Sequence, residues 1–328
     1  MRLRNLGFVA LLAIAVAVVS GCNPDKNKLL FKPQAGAKRL VDTEEAMNMS
    51  MSLMGMSMNF GTAKEYTFEF APKETDAAGV TTFDTTIKSV KFEMTGLEGL
   101  MGGLGGPGGP QIPGMPGGDD PFGIKSLKAA VKSAEGQTFT VKVNKLGEVT
   151  EVSGADAIAD KASALYKAPA LGAQVPPKQV LKFHLGDNTM KYSMMGIFTA
   201  RPDKKLNIGD TWQNKVNGGD NMAEVVGDAT FTVKERANGT VTAESVSKVE
   251  IKPGQEMQQQ MGKVPGFTME MSGQGSGTAK FDEATGWLID YVDIAKVPGK
   301  MSFPAGQMGN VSMNIEASYK VSYKSYPG

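Results

Sequence analysis

One cysteine and one histidine in 328 residues remove much of the chemistry that a chain of this size could carry. A disulfide framework needs two thiols, so Cys22 alone excludes one even in an exported protein. Zinc sites of the usual kinds recruit pairs of His or Cys, which His184 and Cys22 cannot supply. Serine–histidine catalysis would have to use His184, in Leu181-Lys182-Phe183-His184-Leu185, and no Gly-x-Ser-x-Gly elbow accompanies it; it reads as a partly exposed strand residue. No P-loop or calcium-loop pattern occurs. Charge of one sign is lacking too. The formal net charge is +1, so there is no electrostatic footprint for nucleic acid.

Long apolar runs are absent except at the start. Arg2 and Arg4 precede Leu6 to Val19, a run of 14 apolar residues or glycines. A spanning helix needs about 17–25 such residues, whereas a signal-peptide core needs fewer. The run ends in Val19-Ser20-Gly21-Cys22, which resembles a bacterial lipobox: a branched residue, two small ones and the cysteine that receives lipid. Residues 1–21 therefore read as a lipoprotein signal peptide and Cys22 as the lipidation site. Two or more acyl chains hold a protein stably on a membrane where one does not. Cleavage would remove Arg2 and Arg4 from 35 basic residues, leaving 33 against 34 acidic ones. Residues 22–28 read as a polar tether.

Period-two alternation dominates the remainder. Tyr66, Phe68 and Phe70 alternate with Thr67 and Glu69; Val90, Phe92 and Met94 with Lys91 and Glu93; Phe139, Val141 and Val143 with Thr140 and Lys142. Phe231 and Val233, and then Ile315, Ala317, Tyr319, Val321 and Tyr323, repeat the pattern. Each is a strand with one apolar and one polar face, as in antiparallel sheet. Turn chemistry sits between strands at Asn144–Gly147, Asn238-Gly239 and Asp282–Gly286, where Asn or Asp bonds nearby backbone and glycine supplies positive φ. Helical spacing is confined to Ala155–Tyr166, to Ile124, Leu127 and Val131, and to Met257 and Met261.

Residues 99–118 contain ten glycines and four prolines. With almost no side chain to bury, such a stretch cannot offset its ordering entropy and reads as a disordered loop between strands, within 97–122. The layout at 138–153 recurs at 276–293, and Pro169, Pro176 and Pro177 mark a joint. The expected fold is mainly β, two similar antiparallel curved-sheet or half-barrel modules with a few short helices, over 29–170 and 171–328.

Six methionines crowd residues 47–58: Met47, Met49, Met51, Met54, Met56 and Met58. Soft thioethers suit Cu(I), but the alternation equally describes an apolar wall, because methionine fills irregular space and repacks around varied partners. The spacing predicts Met47, Met49 and Met51 on one strand face, with Met54, Met56 and Met58 sharing a face after a one-residue bulge. The carboxylate pairs Glu44-Glu45, Asp119-Asp120 and Asp282-Glu283 are adjacent, and neighbours in extended chain point to opposite faces.

Arg201-Pro202-Asp203-Lys204-Lys205-Leu206-Asn207-Ile208-Gly209-Asp210-Thr211-Trp212 resembles a Pro, apolar-x-Gly-Asp-x-Trp segment of a family of bacterial lipoproteins known only as a domain of unknown function. Gly275 to Trp287 is similar to that family's Gly-x-Gly, strand, Asp, Thr-Gly turn. The resemblance implies an exported β-rich lipoprotein without assigned activity. The glycine-rich stretch and the methionine run depart from the family pattern. The layout is also similar to the curved sheets of bacterial lipoprotein carriers.

The sequence thus predicts a lipid-anchored protein of the bacterial cell envelope, on the periplasmic or outer-membrane side. It is expected to be non-enzymatic, with no cofactor, no metal and no nucleic-acid partner. An apolar ligand, lipid or envelope protein is expected on a concave face lined by the methionines. A carboxylate-based hydrolase and a Met-rich Cu(I)-binding protein are the alternatives.

Overall fold

The computed structural model describes residues 27–53, 56–96, 123–167, 176–219, 223–253, 267–304 and 310–328. Eleven strands form one antiparallel sheet in the order β5-β4-β3-β2-β1-β11-β10-β9-β8-β7-β6. The strands are β1 (Arg39–Leu53), β2 (Met56–Thr75), β3 (Thr81–Thr95), β4 (Thr138–Val143), β5 (Val149–Ser153), β6 (Thr211–Gly219), β7 (Ala223–Ala237), β8 (Thr240–Pro253), β9 (Thr268–Asp282), β10 (Leu288–Pro304) and β11 (Asn310–Pro327). The sheet is curved and unclosed, with β5 and β6 as its edges. The mainly β, antiparallel reading is thereby established.

The two sequence halves contribute contiguous blocks of strands, which meet where β1 pairs with β11, Arg39 opposite Pro327 and Ser52 opposite Asn314. They share one hydrophobic core, running from Leu29 to Tyr323.

Among the described residues, four helices lie against the concave face: α1 (Ile124–Lys132), α2 (Ala155–Ala162), α3 (Pro177–Leu185) and α4 (Asp187–Phe198). Helix α4 presents Met190, Ser193, Met194, Ile197 and Phe198 to the interior. It touches both edge strands, β5 and β6, and so spans the opening between them. Pro177, at the first turn of α3, costs no hydrogen bond there. The expected helices at 124–131 and 155–166 are present, the second giving way to a 3₁₀ turn at Ser163–Leu165. Met257, Met261, the glycine-rich 97–122 and Pro169 lie outside the described residues.

The lower end, where β1 starts, is knotted by aromatic rings. Phe31, Phe70, Phe83, Phe198 and Trp287 stand with centroids 5.0–6.0 Å apart. Phe31 arrives on an N-terminal strap. Its N–H donates to the Lys145 carbonyl at 2.8 Å, and that of Lys32 to the Thr285 carbonyl at 2.8 Å. The strap begins within the expected tether: Asn27 accepts from the Leu206 N–H at 3.0 Å, and Lys28 forms a β-bridge with Lys205. The last two residues of 22–28 are therefore docked rather than loose.

The expected turns follow their side-chain chemistry. Asn144 Oδ1 accepts from the N–H groups of Leu146 and Glu148, and Asp282 Oδ1 from that of Thr285 at 2.7 Å. Curvature needs glycine on β9, where a Cβ at Gly273 would collide with the Lys296 carbonyl of the adjoining strand.

Candidate functional site

The inner face is built in rows by strand register. One row runs Phe92, Lys64, Glu45, Val321, Asp293, Gly277, Ser245 across β3, β2, β1, β11, β10, β9 and β8. The row below it carries Tyr66, Thr43, Tyr323 and Tyr291, and the row above it Met47 and Tyr319. Helices α3 and α4 reach as far as the Glu45 row. Ser193 Oγ of α4 donates to Glu45 Oε1 at 3.1 Å, and the Tyr66 hydroxyl donates to the His184 carbonyl at 3.3 Å. Gly196 lets α4 approach the Tyr323 hydroxyl, where a Cβ would have no room.

A polar layer thus separates the helix-filled core from the upper inner face. Tyr291 stacks on Tyr323 at 5.6 Å and donates to Asp293 Oδ2 at 2.9 Å. Burial raises the Asp293 carboxyl above its usual range, against the lowering effect of the Tyr291 and Ser245 hydroxyls. Burial, followed by the charge of Glu45, pushes the Tyr66, Tyr319 and Tyr323 hydroxyls upward. Tyr319 itself is 41% exposed, on the inner wall opposite Met47.

Above this layer the face turns apolar. Met271, Val297, Ile315 and Ala317 form a second buried cluster, against which Met49, Met51, Val249, Ile251, Met269 and Met301 pack. Met47, Met49, Met51, Phe60, Gly61 and Thr62 line a groove of about 290 Å³. A larger opening of about 580 Å³ follows the lower edge of β6 beside Arg201, Lys204 and Trp212. It is a surface cleft of mixed polarity, remote from the trough.

The methionines predicted to line a ligand are arranged differently from the expectation. The run is a hairpin, not one bulged strand: β1 ends at Leu53 and β2 starts at Met56. Register sets Met58 opposite Met51 and Met56 opposite Leu53. Met47, Met49 and Met51 share the groove, while Met54 and Cys22, the expected lipidation residue, lie outside the described residues.

His184 is a correction. It belongs to helix α3, not to a strand, and its ring packs against Phe92 at 5.0 Å. Burial, then the nearby Lys64 charge, lowers its pKa to about 3, so the imidazole is neutral. Glu44 and Glu45 divide as alternation requires: Glu44 accepts from Lys320 at 3.0 Å on the outer face, and Glu45 faces inward. Asp282 caps its own turn and Glu283 pairs with Arg236. Asp119 and Asp120 lie outside the described residues. Among the described residues, no three His, Cys, Asp or Glu side chains converge for a metal ion.

Sequence reasoning missed Asp293, the tyrosine layer and Arg201. Arg201 is 3% exposed, donates to the Phe198 carbonyl at 3.0 Å and lies over the Phe281 ring at 5.2 Å. Burial pulls its pKa down to about 9. Its place in the Arg201–Trp212 segment was the available signal, since Trp212 donates to the Ala200 carbonyl at 3.1 Å and stacks on Phe231 at 4.9 Å.

Residues 121–288 match the model of a family of unknown function (DUF6263). The chain belongs to that family. The match runs from just before α1 to the first residue of β10, so it includes the helices and β4–β9 but not the methionine hairpin. No curated protein matches the chain. Solved structures similar in outline include an outer membrane channel from Pseudomonas putida F1, at 9% identity and a TM-score of 0.22, over 90% of this chain and 97% of that one. The outer membrane protein OpdK of Pseudomonas aeruginosa shows 8% identity and a TM-score of 0.20, over 88% and 99%. The beta domain of the Bordetella autotransporter Brka shows 8% and 0.21, over 90% and 100%. At these scores the likeness carries no functional argument.

Proposed function

We propose that this chain is a lipid-anchored bacterial envelope protein that holds an apolar ligand, a lipid chain in the first instance, in the upper part of its trough without catalysing a reaction. The Val19-Ser20-Gly21-Cys22 lipobox supports the anchor. The observation that carries the binding role is the groove walled by Met47, Met49, Met51 and Phe60. Flexible thioethers accept acyl chains of varied shape, and the neighbouring tyrosines and Glu45 offer polar partners to a head group.

Native mass spectrometry of the tag-purified mature chain tests the reading: bound lipid is expected, together with displacement of a fluorescent fatty-acid probe. A lipid-free spectrum combined with no probe binding overturns it. Palmitate labelling that disappears in Cys22→Ala tests the anchor separately.

One observation favours a second reading, a carboxylate-based hydrolase. Glu45 and Asp293 sit in one inner row on either side of β11. Strands about 4.8 Å apart put their backbones about 10 Å apart, and paired carboxylates across a cleft are the requirement for glycoside hydrolysis. Hydrolysis of envelope glycan fragments that is abolished in both Glu45→Gln and Asp293→Asn would replace the binding reading.

A further inference from the structure

The strap that enters the core at Phe31 reaches the body at Asn27, five residues after Cys22. There Asn27 Nδ2 donates to Asn207 Oδ1 at 3.0 Å, and Lys28 Nζ meets Asp203 at 2.8 Å. The chain therefore leaves the body beside the 203–210 turn. Five residues of extended chain span at most about 18 Å, so a lipid on Cys22 would hold this turn within that distance of the headgroups.

The turn is built to present an apolar tip. The Asp210 carboxylate accepts from the Asn207 N–H at 2.7 Å, and Gly209 adopts φ +90°. Between them Ile208 is 65% exposed, more than any other large apolar side chain among the described residues. Lys204 and Lys205 precede it on the surface. Lys28 and Lys145 share the single carboxylate of Asp203, at 2.8 and 3.3 Å. Lys204 reaches the Thr211 carbonyl at 3.2 Å, so four lysines and the carboxylates of Asp203 and Asp210 lie in or against the turn that carries Ile208.

We propose that the 203–210 turn is the surface on which the anchored body rests against the bilayer, with Ile208 at headgroup depth and Lys204 and Lys205 against anionic headgroups. An exposed apolar residue on a lysine-bearing turn beside an anchor is the composition that interfacial binding uses. The inference rests on the reading of Cys22 as the lipid anchor. Its consequence is an orientation. Met51 lies 12 residues above Arg39 on β1, which is roughly 40 Å of strand, so the methionine groove opens away from the membrane that holds the protein.

The test supplies an artificial anchor, so that it does not depend on cellular lipidation. A mature chain carrying Cys22→Ser and an N-terminal hexahistidine is tethered to nickel-chelating vesicles, with or without about 30% phosphatidylglycerol. An environment-sensitive dye is attached to Ile208→Cys or, at the opposite end, to Ser52→Cys. A blue shift with protection from aqueous quencher is expected at 208 and not at 52, stronger on anionic vesicles. No shift at 208, or equal shifts at both sites, overturns the proposal.

Untethered I208D/K204E/K205E should bind anionic vesicles at least about tenfold more weakly than the chain carrying Cys22→Ser alone; equal binding also overturns it. Recruitment of a protein to this turn in place of vesicles counts against it. Absence of acyl mass on Cys22 in chain isolated from the cell removes the anchor reading itself, a result independent of the vesicle measurements.

Discussion

Ser193 on helix α4 donates its hydroxyl hydrogen to Glu45 on strand β1 at 3.1 Å, across 148 residues of chain. That bond seats the helix on the inner face and marks the level at which the trough begins. Hydrogen bonds to charged groups contribute about 1.5–3 kcal/mol. Because Glu45 is half-buried, Ser193→Ala should lower unfolding free energy by about 1–2 kcal/mol, read as a shifted urea midpoint at unchanged slope.

Gly196, one turn further along α4, should resist the usual gain from glycine-to-alanine replacement in a helix. A Cβ there would meet the ring and hydroxyl of Tyr323, which is stacked on Tyr291 and cannot swing away. Overpacking of this kind costs about 1–3 kcal/mol, more than the gain of about 0.5–1 kcal/mol from propensity. Gly196→Ala should therefore lower the melting temperature. Tyr323→Phe, by removing the hydroxyl, should return part of the loss in a double-mutant cycle.

The pH dependence should carry the mark of His184. Its Nδ1 is buried with no hydrogen-bond partner among the described residues. The folded pKa of about 3 lies below the ordinary 6.5, so the unfolded chain takes up the proton first as pH falls. The neutral imidazole's contribution is complete above about pH 6.5 and is lost towards pH 3, by at most about 1.4 kcal/mol per pH unit. His184→Phe, packed against Phe92, should match wild-type stability at pH 7 and flatten the profile between pH 6.5 and 4. An unchanged slope in thermal melts would refute the assignment.

The groove predicts a separation of binding from folding. Met49→Gln and Met51→Gln together should weaken a fatty-acid probe by about tenfold or more, given about 1.5–3 kcal/mol for burying such a side chain. Met49→Leu and Met51→Leu should retain affinity, because volume and polarity are conserved. Probe titration of the two double variants distinguishes a binding wall from packing alone. Equal affinity in all of them would make the methionines structural.

What the sequence by itself determined is local. Alternation at Tyr66–Phe70, Phe139–Val143 and Ile315–Tyr323 specifies strands and their inner faces, because side chains project with period two whatever the partner. The turns at Asn144, Asn238 and Asp282 were legible because their side chains and glycines satisfy nearby backbone. Of the candidate site, the inward face of Met47, Met49 and Met51 could be read, but not the hairpin that ends it at Leu53. The spacing of Met190, Met194 and Ile197 held a helical signal, yet Asn188, Thr189, Tyr192, Ser193 and Gly196 are weak helix formers and masked it.

Only the tertiary structure decided which strands meet. Arg39 pairs with Pro327, and no periodicity specifies a partner 288 residues away. That pairing joins the two halves into one sheet and brings Glu45, Tyr319, Tyr323 and Asp293 into adjacent positions. Helices α3 and α4 then fill the concave face only as far as the Glu45 row, because Ser193 and Gly196 fix their height. The groove above the Glu45 row, and the distance between it and Asn27, follow from that packing and not from any local pattern.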